Sequence, residues 1–303
     1  MRRTKRISII IGITTFIIGG LVWGKEANAT ELDLSDNENT MEIYKKDFSA
    51  DREEVVEIPI SSSYDVLNGD ASSPNDVSPR KIIGSDDRTR IPDMLMNNSP
   101  YSCVGVVRVE YYSGKVSFGT GFLFGPNDVA TAGHVLYDSK DKSIAKKISF
   151  IPKINGPYLS STGHATYTGR NMAIPKEFMD TADPGYDYCV FSLDTNIGDS
   201  LGYFGWTTSA TAGQTVQVLG YPDDKPQFEL WLAGGQLESV GDLILTHFVD
   251  TEKGQSGAPV FISVVNKIVG INISSSNISS SNVGRKVDQK LANVLYNTRN
   301  GNY

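Results

Sequence analysis

Cysteine is scarce, with two in 303 residues, so the chain cannot be a disulfide-stapled scaffold. An excess of basic charge is also absent. The 28 Lys and Arg against 35 Asp and Glu give a net charge of -7, whereas a nucleic-acid binder needs a basic surface to release counterions. Long apolar runs are missing beyond the N-terminus, which leaves no other candidate for a membrane span. Nor is there a collagen-like, coiled-coil or disordered bias: 39% apolar, 21% charged, 29 Gly and 13 Pro describe an ordinary globular chain of one large domain or two small ones.

The charge that is present divides the chain into three. Residues 1–29 carry +4, residues 30–80 carry -9, and residues 81–303 carry only -2. The first part has a basic start through Arg6, an apolar run from Ile7 to about Trp23, and Ala27-Asn28-Ala29. These are the three regions of a secretory signal peptide with cleavage expected after Ala29, and the mature product is expected outside the cell. An uncleaved anchor is the competing reading. Residues 30–80 are rich in Asp, Glu, Ser and Asn and end in Ser61-Ser62-Ser63, Ser72-Ser73-Pro74 and Ser78-Pro79-Arg80. One-sided charge with low hydrophobicity predicts a segment unable to bury enough surface to offset its ordering entropy, either a propeptide or a flexible linker.

From Pro100 onward, short runs of Val, Ile, Phe, Tyr and Thr are punctuated by Gly, Pro and Asn, the pattern of an all-β barrel or sandwich. A hairpin is predicted over 104–112 and 115–124, with further strands at 148–151, 188–193, 215–220, 227–233, 243–249, 259–264 and 267–273. Helical spacing is clear only at the end, where Val287, Leu291, Val294 and Leu295 share a face.

Three short motifs carry chemistry. Thr131-Ala132-Gly133-His134 follows a short strand, and a strand end with a tight Gly turn can mount a general base. Gly254-Gln255-Ser256-Gly257-Ala258-Pro259 offers a serine in a small-residue loop, where the amides of Gly254 and Ser256 could converge on an oxyanion. Tyr186-Asp187-Tyr188 places an Asp at a strand entry, where a carboxylate could orient an imidazole; Asp180, Asp183 and Asp194 compete for that role but lack this context. Taken singly, each motif has a bland reading as a turn or a structural residue.

The order His134, Asp187, Ser256, with separations of 53 and 69 residues, is that of chymotrypsin-type proteases. TAGH, YDY and GQSGAP, with IIGSDDRTR at 82–90, IGDSLGYFGW at 197–206 and GYPDDKP at 220–226, resemble the bacterial glutamyl endopeptidases, the V8-like branch of that fold. The resemblance covers roughly residues 81–295. It implies two six-stranded antiparallel β-barrels, about 97–195 and 200–285, with a C-terminal helix near 286–298. It also implies a secreted zymogen serine endopeptidase, with 30–80 as propeptide and 81–303 as protease domain, that needs no metal or organic cofactor. Protein or peptide substrates and an activating protease are the expected partners. No nucleic acid or membrane partner is expected after signal removal, and a monomer is the default.

By the same resemblance Ser256 attacks, His134 moves the proton, Asp187 holds His134, and the Gly254 and Ser256 amides form the oxyanion hole. Ile273 and Ser275 should pair with substrate backbone as an added strand. In the family a substrate glutamate meets a histidine on the strand after the nucleophile, a threonine five residues before the serine, and the mature N-terminal amine. Thr251 matches the threonine, whereas Asn272 stands at the histidine position and offers only amide donors. Lys253 could supply charge near the pocket, and Asp250 could instead favour a basic side chain, giving trypsin-like or relaxed specificity. Alignment puts the mature N-terminus at Lys81, after Arg80, or at Ile82. Gln255 replaces the Asp that pairs with the new N-terminus in animal enzymes. Val135 stands where many relatives have a disulfide cysteine.

Cys103 and Cys189 read as buried thiols, with a bridge as the alternative. His164 and His247 read as structural, with His247 a weak candidate for the pocket. Trp23, Trp206 and Trp231 show no stacking or cage spacing. An inactive protease-fold binding module and an acyl-transfer esterase remain as competing functions, the latter disfavoured by the motif order.

Overall fold

Alternation of apolar and polar residues, rather than helical periodicity, builds almost every element. The computed structural model describes residues 40–59, 77–78, 81–157, 164–276 and 280–301, all within one unit spanning 39–303. The signal-peptide reading of 1–29, and Arg80, lie outside the described residues.

The strands are β1 (Thr40–Asp47), β2 (Arg52–Pro59), β3 (Val77–Ser78), β4 (Thr89–Arg90), β5 (Val104–Tyr111), β6 (Val116–Leu123), β7 (Asp128–Thr131), β8 (Tyr137–Asp138) and β9 (Ser143–Pro152). There follow β10 (Tyr167–Pro175), β11 (Cys189–Leu193), β12 (Gly205–Trp206), β13 (Thr215–Gly220), β14 (Trp231–Val240), β15 (Ile244–His247), β16 (Pro259–Ile262), β17 (Lys267–Ser276) and β18 (Asn282–Lys286). Among the described residues the α-helices α1 (Gly133–Leu136), α2 (Lys176–Thr181) and α3 (Gly198–Leu201) intervene, and α4 (Gln289–Arg299) follows β18.

Six strands close the first barrel in the order β10, β11, β7, β6, β5, β9, with β9 returning to β10. The second closes as β17, β16, β13, β14, β15, β18, with β18 returning to β17. This is the chymotrypsin-like arrangement of two antiparallel barrels and a terminal helix. Val216, Val218, Leu237, Leu245, Val260 and Val269 fill the second barrel. Helix α4 begins where the Asp288 carboxylate accepts from the Leu291 amide at 2.9 Å, and it buries Leu291, Val294 and Leu295 on the face the sequence marks. It packs on β11 of the first barrel. Arg285, fully buried, stacks its guanidinium 5.2 Å from the Tyr188 ring and ion-pairs Asp288 at 2.8 Å, a second tie between the barrels. Cys103 and Cys189 are separate buried thiols, both pushed above the usual thiol range by burial.

Two departures from the sequence reading matter. The strand expected at 227–233 lies at Trp231–Val240, because Gln227–Leu230 follow Pro226 through a loop in which Phe228 takes φ +58°. The larger correction concerns the acidic segment. Residues 40–59, expected to lack the apolar surface to order, form a β1–β2 hairpin whose β1 pairs antiparallel with β10 from Ile43↔Pro175 to Asp47↔Asn171. Average composition hides a two-residue period: Met41 pairs with Ile58 and Ile43 with Val56, and Met41, Ile43 and Ile58 are buried. The turn is fixed by Asp47 Oδ1, which accepts from the Ser49 amide (2.9 Å) and hydroxyl (2.6 Å). Lys46, 2% exposed, is neutralised by Glu53 at 2.6 Å. Edge pairing is available because β10 closes the barrel only through Tyr167 and Thr168, so its far half would otherwise end the sheet unpaired.

A second piece of the same segment contacts the other barrel. Ser275 of β17 pairs with Asn282 of β18 and with Ser78 of β3. A strand residue has one neighbour on each side, so β3 lies on the edge opposite β18, the edge that β16 occupies further along.

Ile43→Asp should detach the hairpin from β10 without unfolding the barrels. Placing a carboxylate at this site costs about 3 kcal/mol. Amide exchange across 40–47 and 171–175 of the uncut chain should therefore quicken about a hundredfold, measured by hydrogen exchange in a Ser256→Ala background; unchanged exchange there would contradict the docking.

Candidate active site

Three elements, two in one barrel and one in the other, bring the motif residues together. Strand β7 ends in Thr131, and the short turn of α1 turns His134 back over the cleft between the barrels. Asp187 leaves a turn fixed by the Asp183 carboxylate, which accepts from the Gly185 amide at 2.8 Å. It accepts from the His134 backbone amide through Oδ1 (2.9 Å) and from Nδ1 through Oδ2 (2.7 Å). With Nδ1 donating to a carboxylate that can only accept, Nε2 is left as the acceptor for the Ser256 hydroxyl, 2.7 Å away. Asp187 and Ser256 are buried, while the His134 side chain remains 37% exposed and open to a substrate. Of the competing aspartates, Asp183 serves the turn and Asp180 pairs with Lys176.

The nucleophile loop is shaped by close approach. Gly254 takes φ +90°, and a Cβ there would lie 2.3 Å from the Tyr221 carbonyl; Gly257 takes φ +85°, with Thr131 Oγ1 2.1 Å from the same position. Any side chain would push the loop away from the cleft. The Gly254 and Ser256 amides have no acceptor among the described residues, so two donors flank the serine unengaged.

Thr120 on β6, which the sequence reading passed over, holds that loop from the other barrel. Its amide donates to the Ser256 carbonyl at 2.8 Å, its hydroxyl donates to the Gly254 carbonyl at 3.0 Å and accepts from the Tyr221 amide at 3.1 Å, and its carbonyl accepts from Thr131 Oγ1 at 2.7 Å. The local signal is a polar residue between two glycines, Gly119-Thr120-Gly121, at the start of the buried half of β6.

The expected pocket residues separate into those that line a floor and those that do not. Thr251 is buried, and its hydroxyl has no partner among the described residues. Asn272 is buried, with Nδ2 donating to the Gln255 carbonyl at 2.9 Å and Oδ1 without a partner among the described residues. Its backbone pairs with Gly257 and Ala258, and Ile273 and Ser275 continue along the β17 edge that β3 occupies at Ser275. Lys81 is seated between strands: its amide donates to Asn282 Oδ1 at 2.9 Å, and Asn282 Nδ2 donates to the Lys81 carbonyl at 2.8 Å. Asn282 was not foreseen. His247 lies opposite it in register on β15, so the weak candidate histidine adjoins the residue that holds Lys81.

Asp250 has a different task from the basic-side-chain receptor considered above. Both of its oxygens are engaged, Oδ1 by the Ile83 amide at 2.6 Å and Oδ2 by the Asp87 amide at 3.1 Å, so it anchors the segment that follows Lys81. Burial, and then the nearby Asp250 and Asp86 carboxylates, raise the Asp87 carboxyl above its ordinary range. Lys253 also falls away from the pocket: its side chain is 82% exposed and its ammonium lies 3.8 Å from Asp223. Gln255 Oε1 accepts from the Glu252 amide at 2.9 Å, a bond within its own loop.

This geometry is shared with known proteins. Residues 119–271 match the family model described as a trypsin-like peptidase domain. The chain belongs to the trypsin-like peptidases. It is 35% identical over 184 residues to a glutamyl endopeptidase of Bacillus licheniformis, a match covering 60% of this chain and 55% of that relative. It is 33% identical over 224 residues to a Bacillus subtilis strain 168 protein named extracellular metalloprotease, covering 72% and 70%. A solved structure of Glu endopeptidase in complex with MPD superposes with a TM-score of 0.63 at 25% identity, over 73% of this chain and all of that one. Together these make the protease a chymotrypsin-fold serine protease of the V8-like branch. The B. subtilis name raises the question of a metal. Among the described residues no three His, Cys, Asp or Glu side chains are grouped to hold one, and both ring nitrogens of His134 are engaged by Asp187 and Ser256, so the residues present do not fit a catalytic metal.

Thr120→Val keeps the shape of the strand but deletes the hydroxyl that holds the Gly254 carbonyl and the Tyr221 amide. Leaving those groups unpaired costs about 1–3 kcal/mol, and part of that should appear as a fall in kcat of about tenfold or more with KM little changed. An unaltered kcat would show that the loop is held elsewhere.

Proposed function

We propose that the chain is the precursor of a secreted serine endopeptidase that cuts after glutamate. The observation that carries the reading is the unbroken relay Asp187–His134–Ser256 at 2.7 Å per contact, beside two unengaged amides. Ser256 Oγ attacks the peptide carbonyl carbon as Nε2 takes its proton. The tetrahedral oxyanion is received by the Gly254 and Ser256 amides, and the C–N bond breaks as His134 returns the proton to the leaving amine. Water, deprotonated by the same imidazole, then releases the acid from the acyl-enzyme.

Glutamate preference needs a cation or several donors around a desolvated carboxylate. Asn272 supplies no charge, and Lys253 faces solvent. A cut before Lys81 would turn the amide seated on Asn282 into an α-ammonium near the buried Thr251 hydroxyl, which has no partner among the described residues, and we assign the charge recognition to that group. The trypsin-like alternative is disfavoured because both oxygens of Asp250 are already taken by backbone amides. Fold alone does not carry activity, since an inactivated scabies mite protease paralogue superposes with a TM-score of 0.51 at 16% identity; the intact relay separates this chain from the binding-module reading.

Latency fits the same frame. The triad and the 81–87 segment are assembled in the uncut chain, while β3 lies along the β17 edge where a substrate strand would pair. The prosegment would then inhibit by occupying the substrate edge until a protease cuts after Arg80. Export rests on the 1–29 pattern and on the B. subtilis relative, which is named as extracellular.

The test is the cleavage map of protein cut after Arg80, with its N-terminus sequenced, in a mixed peptide library beside Ser256→Ala. Cuts after Glu that vanish in the variant are expected, and Asn282→Ala should lower kcat/KM for Glu substrates about tenfold. Cuts after Lys or Arg would overturn the acidic preference, and no cuts at all would overturn the enzyme reading.

A further inference from the structure

The direction of β3 shows which side of Ser256 receives the leaving group. Antiparallel pairing of Val77 with Ser276 and Ser78 with Ser275 means that a strand in this orientation advances toward Asn272, whose backbone bonds Gly257 and Ala258 beside Ser256. Residues before the scissile bond therefore lie along β17, and those after it continue past Ser256 toward β6, where Thr120 bonds the Ser256 carbonyl. Phe118 is two residues before Thr120 and so shares its face of the strand, the face turned toward Gly254.

There the surface opens into a cavity of about 270 Å³ lined by Val106, Phe118, Phe228, Asp223 and the oxyanion glycine Gly254. It falls below the roughly 300–1,000 Å³ of sites that enclose a drug-sized molecule, a size suited to one side chain. Phe228 is held at φ +58°, unusual for a bulky residue, with its carbonyl accepting from Gly156 at 3.0 Å and its ring 5.3 Å from that of Phe118. Phe118 is 41% exposed among the described residues, an aromatic surface at the mouth of the cleft. Lys225 and Gln227 also line the cavity, but the Lys225 ammonium is already engaged: it pairs with Asp86 at 2.6 Å and lies 4.7 Å above the Trp231 ring. Asp223 is likewise paired, 3.8 Å from the Lys253 ammonium, so an aromatic and aliphatic wall is what the cavity chiefly offers a ligand, which disfavours an acidic side chain.

Resting on the endopeptidase reading above, we infer that this cavity is a specificity subsite for a bulky apolar side chain, aromatic by preference, on one of the two residues that follow the scissile bond. The leaving fragment would stack against the Phe118–Phe228 pair and depart with the amine, so its contribution acts on acylation and not on hydrolysis of the acyl-enzyme.

The experiment compares two substrate types with the activated enzyme: an anilide that ends at the scissile bond, and peptides in which the two following residues are varied among Gly, Ala, Leu, Phe and Glu, the residue before the bond being whichever the enzyme accepts. Wild type should favour Phe or Leu over Gly by about tenfold in kcat/KM and disfavour Glu. Phe118→Ala should lower the ratio of Phe-peptide to anilide hydrolysis about tenfold, and Phe118→Leu should restore part of it. Indifference of wild type to the following residues, or an equal loss on anilide and peptide in Phe118→Ala, would overturn the subsite. A wild-type enzyme inert toward anilide and peptides alike would overturn the endopeptidase reading, and the subsite with it.

Discussion

Thr120 joins the two halves of a site that neither barrel holds alone. His134 and Asp187 belong to the first barrel and Ser256 to the second, so the 2.7 Å contact between Nε2 and the serine hydroxyl exists only while the barrels keep their relative position. A buried residue on β6 that bonds the Ser256 carbonyl, the Gly254 carbonyl and the Tyr221 amide fixes that position from within the interface. Buried polar bonds of this kind are costly to leave unmade, which makes the arrangement selective as well as stable. The Arg285 stack on Tyr188 and the return of α4 to β11 brace the same interface near Asp187.

The acidic segment meets both barrels at different places. The hairpin adds strands to β10 and buries Met41 beside Tyr188, whose hydroxyl lies 3.3 Å from its sulfur, one residue from Asp187. The short β3 adds to β17 at Ser275. Both contacts are strand addition to an edge that the barrel leaves open, so affinity comes from backbone pairing and needs few apolar side chains. An acidic, sparsely hydrophobic segment can order itself in this way without a core of its own.

The separation between what could and could not be read from sequence follows the range of the interactions. His134, Asp187 and Ser256 were legible because each sits in a short motif whose small residues serve a local turn, and their order along the chain is itself informative. The strand at 215–220 and the face of α4 were legible from local periodicity. Thr120 and Asn282 were not, because their partners lie 134 and 201 residues away and nothing beside them in sequence records the contact. The surroundings of Asp250 were hidden for the same reason: an Asp near the nucleophile left a charge receptor open as an alternative, and only the fold shows that the Ile83 and Asp87 amides come to it across more than 160 residues. The hairpin was hidden by averaging, since a two-residue alternation of Met41 and Ile43 with acidic neighbours has the composition of a disordered tail.

On the proposed function, the uncut chain carries an assembled triad whose substrate edge is occupied by β3. A small sulfonyl fluoride needs only the triad and the oxyanion amides, whereas a peptide needs the β17 edge as well. Uncut Arg80→Gln chain should therefore be sulfonylated on Ser256, seen by intact mass, at a rate within about tenfold of the cut enzyme. Its turnover of a peptide substrate should be lower by a hundredfold or more, a difference of about 2.7 kcal/mol in barrier. A chain that resists the fluoride as strongly as it resists the peptide would contradict the account, because its triad would then be formed only by the cut.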